Sequence, residues 1–111
     1  MRIERRLYPR ILVTWPVTLQ NVQASIEGET KDISVDGVFI FCSKEPEFGD
    51  TFPILLKPSE ERSILVVGKR VWSDIFHIDN RSVFGTGVQF MLISPEEQQY
   101  IASLVEKERN E

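Results

Sequence analysis

Arg5, Arg6 and Arg10 stand within six residues near the start of the chain, with Arg2 ahead of them and a single acid, Glu4, alongside. Arginine offers planar, bidentate donors that match phosphate oxygens and the O6/N7 edge of guanine. Pro9 biases Tyr8 toward extended backbone and discourages a helix through the segment. Arg6 and Arg10 could then converge on one ligand. Taken alone, the segment reads as a solvated basic tail, the common state of a charged terminus.

A second polar stretch runs Asp32-Ile33-Ser34-Val35-Asp36-Gly37. Asp32 is acceptor-only when ionised and suits the N1–H and N2–H donors of guanine. Ser34 donates or accepts. Gly37 leaves room for a close approach or supplies positive φ. Taken alone, this is an ordinary turn whose Asp32 and Ser34 bond their own backbone. Taken together, the two stretches predict one anion-binding site on a scaffold that brings them face to face.

That scaffold reads as mainly β. Ile11–Leu19 is β-branched and aromatic, with Val13, Trp15, Val17 and Leu19 at period two, and Pro16 marks an edge or a bulge. Further strands are predicted over Ala24–Ile33, with Gly28 as a bulge, and over Val38–Phe41, Thr51–Leu56, Ile64–Trp72 and Gly85–Leu92. Gly68 marks a bulge or a bend in the fifth, and Ser73–Ser82 reads as strand extension or as loop. Ser94-Pro95-Glu96-Glu97 supplies an N-cap serine, a proline at the first helical position and a glutamate that completes a capping box. Tyr100, Ile101, Leu104 and Val105 then form an apolar stripe, with Lys107 and Arg109 complementing the helix dipole. The prediction is an all-β, six-stranded antiparallel barrel closed by a C-terminal α-helix. The stripe would cover an open end of the barrel or dock a partner.

Composition narrows the classes. A chain of 111 residues, 41% apolar and 27% charged, suits one folded domain. Its expected parts are an N-terminal arm over 1–10, a barrel over 11–92 and a helix over 94–109. The net charge of -4 argues against general binding to DNA or RNA. No apolar run is long enough for a membrane span or a signal peptide, so a cytoplasmic protein without membrane insertion is expected. Cys42 is the lone cysteine and His77 the lone histidine, too few for a metal site. A Cys42–His77 nucleophile pair requires the two to meet, and Cys42 follows an apolar run that favours burial. Trp15 and Trp72 read as core or barrel-surface packing.

Arg6-x-x-x-Arg10, followed about twenty residues later by Asp32-x-Ser34-x-x-Gly37, resembles the paired signature of the PilZ domain family. The likeness extends to the Val71-Trp72 strand end, to Gly85-Thr86-Gly87-Val88-Gln89-Phe90 and to the Ser94-Pro95-Glu96-Glu97 helix start. Members of that family form a six-stranded antiparallel barrel with a C-terminal helix and bind the bacterial second messenger cyclic di-GMP. The resemblance implies that Arg6 and Arg10 hold guanine edges and phosphates, that Asp32 and Ser34 contact the nucleotide from the barrel surface, and that Gly37 leaves room for it. Arg5, just ahead of the first motif arginine, implies a stacked pair of ligand molecules. Many members carry a second glycine where Asp36 stands here.

The implied protein is a receptor without catalysis or cofactor, a monomer or weak dimer. It passes the messenger level to an unidentified effector protein through ordering of its N-terminal arm. The alternative is a PilZ-like adaptor that binds proteins and no nucleotide; such members usually lack motif arginines, which this chain keeps.

Overall fold

The computed structural model describes residues 9–20, 24–46 and 49–109. Seven strand segments and one helix follow in chain order: β1 (Ile11–Leu12), β2 (Pro16–Gln20), β3 (Ser25–Ile33), β4 (Gly37–Cys42), β5 (Thr51–Ser59), β6 (Arg62–Ile78), β7 (Arg81–Leu92) and α1 (Pro95–Arg109). Around the barrel the strands run β2, β5, β6, β7, β4, β3 and back to β2, antiparallel throughout. β1 pairs with the same β3 as β2 does, so β1 and β2 are two halves of one broken stave. The barrel therefore has six staves, as expected.

The break falls inside the stretch expected to be one strand, Ile11–Leu19. Pro16 has no N–H to give a ladder. The side chain of Thr30 fills in: its hydroxyl accepts from Trp15 N at 2.9 Å and donates to the Val13 carbonyl at 2.5 Å. Thr30 is buried, and these bonds satisfy its hydroxyl there.

Alternation along the strands fills the barrel. Val17 and Leu19, Val38 and Ile40, Phe52, Ile54 and Leu56, and Ile64 and Val66 all point inward and are buried. Each such side chain contributes about 1.5–3 kcal/mol of burial. Helix α1 adds Ile101 and Val105 to this core, with Tyr100 and Leu104 packed against it. The stripe is thus a lid on the barrel. Its start is capped by Ser94, whose hydroxyl accepts from Glu97 N at 3.1 Å, while the Glu97 carboxylate expected to complete the box accepts from Arg62.

Three expectations are sharpened. Ser73–Ser82 is strand and turn: β6 runs on to Ile78 and β7 begins at Arg81. Between them Asp79 and Asn80 take φ values of 51° and 64°, the left-handed pair that a two-residue hairpin turn requires. The register does shift between Val67 and Gly68, but the extra residue is Met91 on the facing strand β7. Gly28 pairs regularly with Cys42; the β3 bulge lies at Lys31 instead. Gly28 is small because a side chain there would strike the Phe41 carbonyl.

Candidate functional site

The site is built by two β-bulges. On β3 the register passes from Thr30 opposite Ile40 to Asp32 opposite Phe39, so Lys31 is an extra residue. Thr30 before it and Ile33 after Asp32 face inward and are buried. Lys31 and Asp32 consequently stand side by side on the outer face. On β6 the register passes from Arg70 opposite Val88 to Trp72 opposite Gly87, so Val71 is the extra residue. Val71 and Trp72 are both exposed on the outside. Buried Thr86 donates to the Trp72 carbonyl at 3.1 Å beside this bulge.

Between the bulges lies a single cross-strand row. Asp32 pairs with Phe39, Phe39 with Gly87, and Gly87 with Trp72. Gly87 leaves a gap into which the indole of Trp72 leans. Trp72 thereby reaches Phe39, with ring centroids 5.0 Å apart and planes tilted by 45°. Gly85 plays the same part for Phe76 and Phe39. Phe41 continues the strip, 5.0 Å from Phe39 and edge-on to Phe76 at 5.6 Å.

Arg10 sits over the acidic end of the row. Its Nε donates to Asp32 Oδ1 at 2.6 Å, and its Nη1 donates to the Ser34 hydroxyl at 3.4 Å. Lys31 Nζ stands 3.8 Å from the other oxygen, Asp32 Oδ2. Two cations therefore flank one carboxylate. Ser34 is fully buried and its hydroxyl is a hub. It donates to the Asp36 carboxylate and accepts from Asp36 N at 3.3 Å, while Ser34 N closes the turn on the Gly37 carbonyl at 2.9 Å.

Two neighbouring cavities open here. One, of about 250 Å³, is lined by Arg10, Asp32, Phe39, Val71, Trp72 and Gly87 among others. The second, of about 240 Å³, is lined by Arg10, Asp36, Gly37, Val71, Val88 and Gln89. Arg10, Val71 and Val88 border both, so they are halves of one cleft. It combines two chemistries: a cation, Arg10, where the halves meet, and an aromatic wall at Trp72.

Of the residues expected to bind, Arg10, Asp32 and Ser34 converge. Arg5 and Arg6 lie outside the described residues; of the 1–10 arm only Pro9 and Arg10 are described, and Arg10 is held by Asp32. Gly37 borders the cleft, but its missing side chain is explained by the barrel: a Cβ there would strike the Val88 carbonyl, and Gly37 does not take positive φ. Asp32 Oδ1 accepts from Arg10, and its carboxylate keeps further acceptor sites for the guanine contact expected of it. Asp36, a carboxylate in place of a common glycine, is engaged by Ser34.

Sequence reasoning missed Lys31, Phe39, Val71, Trp72 and Gly87 as site residues. A signal existed in Thr30-Lys31-Asp32-Ile33, where two charged residues separate two inward-facing ones and break the period of two. Arg70-Val71-Trp72-Ser73 breaks it similarly.

Other chemistry is not assembled among the described residues. Cys42 is buried beside Gly28, and burial pushes its thiol up to about 11. His77 is exposed on the hairpin, where its Nδ1 meets the Ser82 hydroxyl at 3.3 Å. Among the described residues no group of three or more potential metal ligands occurs, and no helix is long and apolar enough to cross a membrane.

A family model described as the PilZ domain matches residues 4–107. No curated protein matches the chain significantly in sequence. Among solved structures, the fold is shared with the Bacillus subtilis inhibitor of motility MotI/DgrA, at a TM-score of 0.78 and 21% identity, covering 98% of this chain and 53% of that one. It is shared with the PilZ domain of Escherichia coli YcgR holding c-di-GMP, at a TM-score of 0.75 and 14% identity, over 96% and 94% of the two chains. A third is the K. pneumonia MrkH–c-di-GMP complex, at 0.76 and 18% identity, over 98% of this chain and 57% of that one. The chain thus spans about half the length of MotI/DgrA and MrkH.

Proposed function

This chain belongs to the PilZ domain family, and we propose that it is a receptor for cyclic di-GMP, acting without catalysis. The observation that carries this reading is the convergence of Arg10, Asp32 and Ser34 beside a cleft that the Trp72 indole also lines. A cyclic dinucleotide has two anionic phosphodiesters and two guanines, and needs both kinds of surface. Together the two halves of the cleft fall within the usual range for small-ligand sites, about 300–1,000 Å³.

Each group has a role. Asp32 holds the Arg10 guanidinium in place, and the remaining N–H donors of that fork meet a phosphate or a guanine edge. Ser34 fixes the turn and supports Arg10 from below. Trp72 stacks a guanine; such base–aromatic contacts are worth about 1–3 kcal/mol. Arg6 is four residues from Arg10, a span of at most about 14 Å of chain. It can therefore close over a ligand that Arg10 holds, with Arg5 available to a second, stacked ligand molecule.

Ligand contacts from Arg5 and Arg6 would fix the part of the arm ahead of Arg10 against the barrel and so change the surface that an effector protein meets. The fused strip Trp72–Phe39–Phe41–Phe76 begins at the cleft, so a partner reading it would sense the ligand.

Calorimetry with cyclic di-GMP tests the reading. Micromolar or tighter binding is expected, lost in the Arg6→Ala/Arg10→Ala double variant. No heat with the wild type would overturn it and leave the nucleotide-independent adaptor.

A further inference from the structure

The bulge on β3 puts a cation where no paired motif calls for one. In a regular strand Lys31 and Asp32 would point to opposite faces of the barrel. Here the extra residue turns both outward, and Lys31 Nζ comes 3.8 Å from Asp32 Oδ2 and 5.8 Å from the centroid of Phe39. Asp32 and Phe39 both line the cleft. Arg10 holds the opposite oxygen of the same carboxylate. One anionic charge thus sits between two cationic ones, and the trio carries a net positive charge beside the cleft. The Lys31 side chain is 48% exposed, so its ammonium keeps donors for a further acceptor.

We propose that Lys31 is a ligand-binding residue that contacts a phosphodiester from the Oδ2 side of Asp32, across that carboxylate from Arg10. The assignment rests on the reading of the cleft as a cyclic di-GMP site and adds a contact outside the arginine and Asp-Ser-Gly segments. Arg10 and Lys31 would then bracket the ligand from the two sides of Asp32. The geometry suits this division. Arginine supplies the oriented fork, and lysine supplies a compact charge on a long stem that follows the phosphate.

Calorimetric titrations of cyclic di-GMP at low salt and at about 0.5 M salt, on wild type, Lys31→Met, Lys31→Arg and Arg10→Ala, test the assignment. Lys31→Met is expected to bind about 5- to 20-fold more weakly at low salt, as loss of one charge-assisted contact implies. The deficit should shrink at high salt, where the Debye length falls to a few ångströms. Lys31→Arg should recover most of the affinity, and all variants should melt like wild type. If wild type binds, Arg10→Ala fails, and Lys31→Met stays within about twofold of wild type, the Lys31 contact alone is overturned. A deficit that is independent of salt and unrelieved by arginine also overturns it, since it would mark a structural role. A silent wild type overturns both readings.

Discussion

The indole of Trp72 occupies the space that a side chain on Gly87 would fill. A Cβ on Gly87 would lie 2.7 Å from Trp72 Cδ1 and 3.0 Å from Cε2, closer than real side chains approach. Gly87→Ala must therefore push Trp72 off the row and away from Phe39. The expected result is at least about tenfold weaker cyclic di-GMP binding, the loss of one stacked base. It should come with a red-shifted, more accessible Trp72 emission, against the unchanged signal of buried Trp15. Quenching of Trp72 by ligand should be lost as well. Unaltered affinity in a folded Gly87→Ala protein would show that Trp72 does not need its seat.

Arg10 and Asp32 should behave as one unit in binding. The pair is short but partly exposed, with side-chain exposures of 20% and 16%. Its contribution to folding is small, about 0–1 kcal/mol. In binding, Asp32→Ala should weaken affinity by freeing Arg10, and Arg10→Ala should weaken it further. The double variant should lose little more than Arg10→Ala alone. A double-mutant cycle by calorimetry should therefore give a coupling of about 1–3 kcal/mol. Arg10→Lys should not rescue, because an ammonium cannot reach Asp32, Ser34 and a ligand in one plane. Strict additivity would mean that Asp32 acts directly on the ligand.

These two predictions differ in how far the sequence anticipates them. The capped helix, the Ser34–Gly37 turn and the outline of the six staves follow from local signals: a serine before a proline, a glycine after a serine, apolar residues at period two. The convergence of Arg10 with Asp32 and Ser34 is also foreshadowed, since both segments are polar interruptions beside strands. The row from Asp32 to Trp72 is different. It exists because bulges at Lys31 and Val71, 40 residues apart in the chain, fall at matching points of two strands with two staves between them. Register across four strands is a property of the closed sheet, and no window of the sequence contains it. Gly37 shows the converse. Its type was legible and its reason was not, because the atom it avoids, the Val88 carbonyl, lies on another strand.

Cys42 should make stability fall at alkaline pH. Its thiol is raised from 9.0 to about 11 by burial, which penalises the thiolate. The unfolded chain therefore ionises first as pH rises. This contribution is fully present below about pH 9 and is lost progressively as pH climbs through about 11. Denaturation curves of wild type and Cys42→Ala across that window should differ in slope, with the variant flatter. The wild-type thiol should also react slowly with alkylating reagents at neutral pH and quickly once unfolded. Equal slopes would mean that the buried site admits water to the thiolate.

Arg62 should fasten the helix lid to the barrel. Its guanidinium stacks 3.7 Å from the Tyr100 ring centroid, and its Nη2 donates to Glu97 Oε1 at 2.6 Å. Both partners lie on the first turns of α1, while Arg62 starts β6, so the contact joins two elements distant in sequence. The gain is modest for two reasons. The side chain is 39% exposed, and its Nε is buried with no bond partner among the described residues. Arg62→Ala should therefore cost about 1 kcal/mol, seen as an earlier denaturation midpoint. Tyr100→Phe keeps the ring face and should be near neutral, whereas Tyr100→Ala should match or exceed Arg62→Ala. Arg62→Lys keeps the charge for Glu97 but loses the planar stack, and should recover less than half of the loss. Hydrogen exchange should locate the effect in the amides of α1, with the cleft-lining strands β3 and β4 unchanged. Faster exchange across the whole barrel would instead make α1 part of one cooperative unit with it, since opening the lid would expose Ile101 and Val105 together with the core they plug.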